Sequence, residues 1–97
     1  MSGLSTLGGL DPGIERAVNL LREARVETFE SCEGGAGHAF PEPTIRFGMG
    51  RPEEGWKALG ACLMFGLLVT ALRLVWYIEL GHHPTGPYWE LTFKGSV

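Results

Sequence analysis

Apolar residues recur at helical spacing early in the chain. They lie three or four positions apart, with polar or charged residues between them: Ile14, Ala17, Val18, Leu21 and Ala24. This pattern predicts an amphipathic helix with one buried stripe. Asp11 and Pro12 come just before it, and an Asp N-cap followed by Pro at the first helical position is typical of a helix start. We therefore predict a helix of about four turns that begins at Asp11.

Two short strands are predicted to follow this helix. Residues 26–32 have a β-like composition, with one side formed by Glu27, Phe29 and Ser31 and the other by Val26, Thr28, Glu30 and Cys32. Residues 44–47 alternate in the same way, with Ile45 and Phe47 on one side. Prolines 41 and 43 end the connection between them, because proline cannot extend a strand's hydrogen-bond ladder.

A second helix is predicted from the segment Arg51-Pro52-Glu53-Glu54, whose acidic residues suit the first turn of a helix. Its predicted apolar stripe is Trp56, Leu59, Cys62 and Leu63. Gly66 is predicted to stop the helix at its C-terminal end.

The last part of the chain alternates with a period of two on both sides of a turn at residues 81–87. The predicted dry face of the first arm is Leu74, Trp76, Ile78 and Leu80. The predicted dry face of the second arm is Trp89, Leu91 and Phe93. Such alternation predicts a hairpin with one buried and one solvated face.

The predicted order of elements is helix–strand–strand, repeated once. It favours an α+β fold, a two-layer αββαββ sandwich with a four-stranded antiparallel sheet and both helices on one face. Residues 1–10 are expected to form a flexible tail and residues 11–97 a single domain. The other sheet face would be open, and its predicted residues are Thr28, Glu30, Thr44, Arg46, Arg73, Val75, Tyr77, Glu79, Tyr88, Glu90 and Thr92.

Composition limits the possible partners and compartment. The 97 residues carry a net charge of −3, whereas a general nucleic-acid binder needs surplus Lys and Arg. Two cysteines without a CxxC motif or a secretory signal predict free thiols in a reducing, cytoplasmic compartment. The uncharged run 58–72 is shorter than the roughly 20 apolar residues of a membrane span, so no membrane association is expected.

A glycine-rich loop is the first candidate site: Glu30-Ser31-Cys32-Glu33-Gly34-Gly35-Ala36-Gly37-His38. Its glycines would allow a backbone cradle for a phosphate or a nucleotide-like ligand. However, the loop contains no Lys or Arg, Glu30 and Glu33 would repel an anion, and the spacing matches neither a Walker loop nor GxGxxG. A plain connection between two strands is the alternative.

Thiol and imidazole groups are the second candidate. Cys32 with His38 could form a nucleophile–base pair, although no third residue is evident to orient the imidazole. A metal could be bound by Cys32, His38, His82 and His83, but their spacing matches no standard zinc pattern. We therefore predict no catalytic residues, no resident metal and no cofactor.

The open sheet face is the third candidate. Tyr77 and Tyr88 are predicted to be cross-strand neighbours, with Arg46 and Arg73 close by. Aromatic and arginine side chains on a sheet can stack unpaired bases, but the acidic residues of this face oppose a polyanion. A protein partner, or a homodimer formed through the sheet faces, suits the mixture better, and an ordinary solvated face is the remaining alternative.

Two resemblances bear on function. The segment Thr28 to Gly34, with its pattern Thr-x-x-Ser-Cys-x-Gly after a helix, resembles the opening of the wybutosine-synthesis methyltransferase family, which modifies a tRNA guanosine using S-adenosylmethionine. That family has a basic residue soon after the glycine, where this chain has Gly35-Ala36-Gly37-His38. Residues 30–47, together with residues 86–90, resemble small uncharacterised proteins of bacteria and their phages, which implies a mobile-element accessory protein that blocks or titrates a host component.

These observations predict a non-catalytic binding protein that acts through its open sheet face and glycine-rich loop on a host component, such as a defence complex. The predicted binding residues are Glu30, Ser31, Cys32, Glu33, His38, Arg46, Arg73, Tyr77, Tyr88 and Glu90. The alternative is a small metal- or cofactor-dependent enzyme, or a nucleotide-binding protein, in nucleic-acid modification.

Overall fold

The computed structural model describes residues 13–78 and 80–95. Their elements, in chain order, are α1 (Glu15–Glu23), β1 (Thr28–Cys32), β2 (Thr44–Phe47), α2 (Pro52–Met64), β3 (Val69–Tyr77) and β4 (Thr85–Phe93). This order and the antiparallel four-stranded sheet confirm the predicted α+β class. The predicted tail, residues 1–10, lies outside the described residues, as do Asp11, Pro12 and Glu79.

The sheet has the strand order β1-β2-β4-β3, so β1 and β3 are its edges. Directly opposed residues lie on the same side of a sheet, and the register therefore aligns side chains in rows. One row on the buried side runs through Ile45, Leu91 and Leu72. The neighbouring row on the other side contains only charged residues and is described below.

One cluster of buried side chains joins the helices to the sheet. Its largest fully buried members are Phe47, Phe93, Ile14, Leu21, Ile45, Leu91, Val18 and Cys62. The cluster thus contains residues of both helices together with side chains of β2 and β4. Burial raises the pKa of the Cys62 thiol to about 11, so this cysteine stays protonated within the core.

The predicted start of α1 is wrong. The helix begins at Glu15, and the N-cap position is occupied by Ile14, which makes no side-chain capping hydrogen bond. Ile14 is fully buried, so hydrophobic packing rather than an Asp cap positions this end. The start of α2 at Pro52 agrees with the prediction. Gly66 also follows the end of α2 as predicted, with φ +75° and its N–H donated to the Leu63 carbonyl.

The predicted apolar stripe of α2 is right for Leu59 and Cys62, which belong to the core or pack against it, and wrong for Trp56 and Leu63. The residues buried in this helix are Gly55, Ala58 and Cys62, whereas Trp56 and Leu63 are 67% and 58% exposed. Small residues form the contact because α2 lies very close to the sheet. A Cβ atom at Gly55 would come within 2.8 Å of the Trp89 ring. Size and hydrophobicity alone therefore predicted Trp56 and Leu63 on the wrong face of α2.

The dry face predicted for the first hairpin arm is also wrong. Strand β3 runs from Val69 to Tyr77, so Ile78 and Leu80 lie beyond it and are exposed. Leu74 and Trp76 are on the helix side but about half exposed, because β3 is an edge strand. The second arm is as predicted, since Leu91 and Phe93 are fully buried.

No helix among the described residues is both long and apolar enough to cross a membrane.

Candidate functional site

A row of alternating charges crosses the open face of the sheet. Register places Glu30 of β1 opposite Arg46 of β2, Arg46 opposite Glu90 of β4, and Glu90 opposite Arg73 of β3. Arg46 Nη1 lies 3.3 Å from Glu30 Oε1, and Arg46 Nε lies 3.0 Å from Glu90 Oε2. Arg73 Nη1 lies 3.7 Å from the other Glu90 oxygen. The row contains two acids and two bases and is therefore neutral as a unit.

The two middle members of this row are held firmly, and the two outer members are accessible. The side chains of Arg46 and Glu90 are only 19% and 11% exposed. Those of Glu30 and Arg73 are 43% and 55% exposed. Because Arg46 is neutralised by two carboxylates, the row does not offer the surplus positive charge that a polyanion requires.

An aromatic cluster adjoins one side of the charge row. The rings of Phe29 and Tyr88 meet edge to face, with centroids 4.9 Å apart and planes at 62°. Together with Tyr77, Glu30 and Arg46 they line a shallow cavity of about 220 Å³. Three aromatic side chains and one accessible carboxylate are therefore presented together on the open face. We call Phe29, Tyr77 and Tyr88 the aromatic cluster.

Phe29 was predicted on the wrong side of its strand. Thr28 is opposite Phe47, but Glu30 is opposite Arg46, so β1 has one extra residue between them. This β-bulge interrupts the alternation and allows Phe29 and Glu30 to line the same cavity. Phe29 is 53% exposed as a result. The sequence carried no signal for the bulge, because strict alternation was the only available guide.

The glycine-rich loop is closed by its own backbone hydrogen bonds. Gly35 donates to the Pro41 carbonyl at 3.0 Å, and His38 donates to the Gly35 carbonyl at 3.1 Å. These N–H groups, which a phosphate cradle would need, are thus engaged within the loop. Phe40 lies beside the open face, where the Arg46 guanidinium carbon is 5.1 Å from its ring centroid. The arrangement is that of a folded strand connection bordering the charge row.

Cys32 and His38 are each engaged by other groups of the loop region. The Cys32 thiol is buried and accepts a hydrogen bond from the Gly34 N–H at 3.4 Å. His38 Nε2 lies 3.5 Å from Glu33 Oε2, and the other Glu33 oxygen accepts the Gly13 N–H at 2.8 Å. Glu33 therefore connects the loop to the start of α1, and its role there is structural.

The metal hypothesis gains no support from the described residues. Within residues 13–78 and 80–95, no group of three or more His, Cys, Asp or Glu side chains could hold a metal ion. His82 and His83 are exposed in the connection between β3 and β4.

The predicted binding residues therefore fall into three groups. The structure brings together Glu30, Arg46, Arg73, Tyr77, Tyr88 and Glu90 on the open face. Cys32, Glu33 and His38 belong to the loop region. Ser31 is opposite the buried Ile45 and lies on the helix side, away from this face. The open face is also smaller than predicted, because Thr44 and Thr92 are buried.

A larger cavity, of about 520 Å³, lies where the α1–β1 connection meets the start of α2. Its charged lining is mixed: Arg25, Glu27, Arg51, Glu53, Glu54 and Lys57. Most of these groups stabilise the chain itself. Glu54 accepts the N–H groups of Met49 and Arg51, and Lys57 donates to the Arg25 carbonyl. We therefore favour the aromatic cluster over this larger cavity as the candidate site.

Comparison with known protein families, with curated proteins and with solved structures finds no match to this chain.

Proposed function

We propose that this protein is a non-catalytic binding module whose open sheet face binds a protein partner. One observation carries the proposal: two exposed aromatic side chains, Phe29 and Tyr77, and the half-buried Tyr88 line one cavity beside a charge row whose members already neutralise one another. Exposed aromatic residues surrounded by paired polar groups resemble the anchors of protein interfaces. The resemblance to small phage and bacterial proteins is the ground for extending the proposal to blocking or titrating a host component.

The chemistry of the cavity favours a basic side chain of the partner. The aromatic cluster offers ring faces that attract a cation. Glu30 lies at the same cavity and is accessible, while the charge of Arg46 is offset by its two carboxylate neighbours. An Arg or Lys side chain that enters between the rings would therefore meet both ring faces and a carboxylate.

Affinity capture with matched variants tests the proposal. The full chain, Tyr88→Ala and Met49→Ala are immobilised and exposed to nuclease-treated bacterial lysate. Met49→Ala is the control because Met49 is a large apolar residue at the surface that lies outside the cavity. We expect a protein that is retained by the full chain and by Met49→Ala and lost with Tyr88→Ala.

The partner so identified is then titrated against purified variants. We expect Tyr88→Ala to weaken binding at least about thirtyfold, as truncation of an interface hot spot does. Glu30→Gln should weaken it by about tenfold if a basic side chain occupies the cavity. The proposal fails if no retained protein distinguishes Tyr88→Ala from Met49→Ala. A protein that is retained from a parallel untreated lysate and lost from the nuclease-treated one would instead favour a nucleic-acid partner.

A further inference from the structure

The edge strand β3 carries little of the usual protection against pairing with another strand: one charged residue and one bulge, at Thr70 near its start. It is nine residues long, and its sole charged residue is Arg73. Strand β4 covers one of its sides, and among the described elements no strand covers the other. Edge strands in natural proteins are usually short or carry charged residues, because the unpaired N–H and C=O groups of a long apolar edge pair with further strands.

Helix α2 adds apolar side chains above this edge. Lys57 donates to the Arg25 carbonyl just after α1, and Arg16 of α1 donates to the Phe65 carbonyl just after α2. These two bonds define the side of α2 that faces α1. At about 100° per residue, Trp56 and Leu63 lie about 100° and 120° around the helix from Lys57, in the opposite sense to the buried Ala58 and Cys62. The flank of α2 that carries Trp56 and Leu63 faces the β3 edge, because α2 contacts β3 and β4 whereas α1 contacts β1.

The helix flank and the strand form one surface. Leu74 is opposite Trp89 in the sheet, and the Trp89 ring lies directly beneath Gly55, the residue before Trp56. Leu74 and Trp76 therefore lie beside the α2 flank on the same side of the sheet. We call Trp56, Leu63, Leu74 and Trp76 the β3-edge surface. All four side chains are about half exposed or more.

We propose that the β3-edge surface binds a second copy of this chain, with the two β3 strands pairing antiparallel in a continuous sheet. A second copy satisfies both features at once, because it supplies a strand for the unpaired backbone groups and an apolar helix flank beside it. A two-fold axis makes such an interface self-complementary. This surface is distinct from the sheet-face dimer expected from the sequence.

The sequence of β3 is compatible with one such register. Beyond its bulge at Thr70, β3 continues from Ala71 to Tyr77 with Leu74 at the centre, and its pairing with β4 shifts register once more between Val75 and Tyr77. A two-fold axis at Leu74 places Leu72 opposite Trp76 of the second copy. It also places Arg73 opposite Val75, so that no two arginines face each other. An axis at Arg73 would oppose two like charges and is disfavoured.

Sedimentation equilibrium of the full chain tests the proposal. We expect a particle of twice the mass of one chain. Leu74→Lys and Leu74→Glu each place like charges at the two-fold axis, and each should raise the dimer dissociation constant at least about a hundredfold. Leu80→Lys is the control, because Leu80 is fully exposed beyond the end of β3 and should leave the dimer unchanged.

Mixing the two variants separates a lost interface from a lost fold. A Lys and a Glu opposite each other across the axis attract, so equal amounts of Leu74→Lys and Leu74→Glu should form a heterodimer. Amide hydrogen exchange of the unmodified chain provides a second measurement. The β3 amides should become more protected as protein concentration rises.

Three results would overturn the proposal: a full chain that stays monomeric at all concentrations, a dimer that Leu74→Lys leaves intact, or charged variants that fail to recombine while circular dichroism shows them folded. Tyr88→Ala distinguishes this proposal from the binding function. Tyr88 lies on the open face, so its loss should abolish partner binding and leave the dimer intact.

Discussion

The two edge strands of the sheet, β1 and β3, differ in length and in the elements beside them. Strand β1 has five residues, is bulged at Phe29, and leads directly into the folded glycine-rich loop. Strand β3 has nine residues, and its apolar side chains remain exposed beside α2. A bulge and a short length are devices that discourage edge pairing, and β1 has both. The β3 edge is long and apolar instead.

This difference separates the two proposed surfaces. At the β1 edge the bulge serves the open face, because it allows Phe29 to join Tyr77 and Tyr88 around the cavity. At the β3 edge the uncovered residues form a surface suited to another strand. Exposed apolar side chains thus have different meanings at the two edges, and substitutions that affect one edge should leave the other intact.

The largest expected effect on stability concerns the glycine-rich loop that follows β1. Gly34 has φ +83°, and a Cβ atom there would collide with the backbone of Glu42 and Pro43. Gly34→Ala should therefore lower the free energy of unfolding by about 3 kcal/mol, through left-handed strain and displacement of the loop. Urea unfolding followed by tryptophan fluorescence, at matched protein concentration, measures this change.

Gly37→Ala is the matched control in the same loop. Its φ is +82°, but a Cβ atom there would meet nothing within 4 Å. Only the conformational cost remains, so we expect a loss of about 1 kcal/mol. Equal losses of stability for the two variants would contradict the packing of this loop against the backbone of Glu42 and Pro43 next to the β1 edge.

The next largest effect concerns a middle member and an outer member of the charge row, Arg46 and Arg73. Arg46→Met leaves the poorly exposed Glu90 carboxylate with Arg73 alone, at 3.7 Å. We expect a loss of about 2 kcal/mol, since removing one partner of a mostly buried pair leaves an incompletely compensated charge. Arg73→Met, at the exposed β3 end, should cost about 0.5 kcal/mol or less. Unfolding in urea at low and high salt measures both, and a larger loss for Arg73→Met would contradict this assignment.

The fold was predictable because the chain's periodic patterns are long. The helical spacing from Ile14 to Leu21 and the alternation of Leu91 and Phe93 fall on residues that are fully buried. Element order follows from these patterns together with the short connections. The open-face residues of β2 and β4, Arg46, Tyr88 and Glu90, were predicted for the same reason.

The errors arose where a local rule was overridden by packing. The bulge at Phe29 adds one residue to β1 and reverses the face of everything before it. In α2, Trp56 and Leu63 are large apolar residues, yet the helix packs through Gly55 and Ala58 because these allow close contact with the sheet. Neither choice can be derived from hydrophobicity, since both depend on the shape of the facing surface. Both errors fall on residues of the two proposed surfaces.

The last predicted effect concerns the start of each helix. Helix α1 has no side-chain cap, whereas Glu54 of α2 accepts the backbone N–H groups of Met49 and Arg51 at 2.9 and 2.8 Å. Burial alone would raise the pKa of Glu54, but these two hydrogen bonds and the Arg51 guanidinium outweigh it and hold the pKa below its ordinary value. Glu54→Gln should therefore cost about 1 kcal/mol at neutral pH.

The pH dependence tests the cause of this effect. Because the folded-state pKa of Glu54 is lowered, its contribution is fully present above the ordinary glutamate pKa of about 4.3 and is lost as the pH falls through the folded value. The stabilities of the full chain and Glu54→Gln should therefore converge in acid. Glu53→Gln, whose carboxylate is well exposed and 3.9 Å from Arg51, should have little effect at any pH. If the difference in stability between the full chain and Glu54→Gln persisted unchanged at low pH, the shape of the Glu54 side chain rather than its charge would account for the cap. The start of α2 would then be held by packing alone.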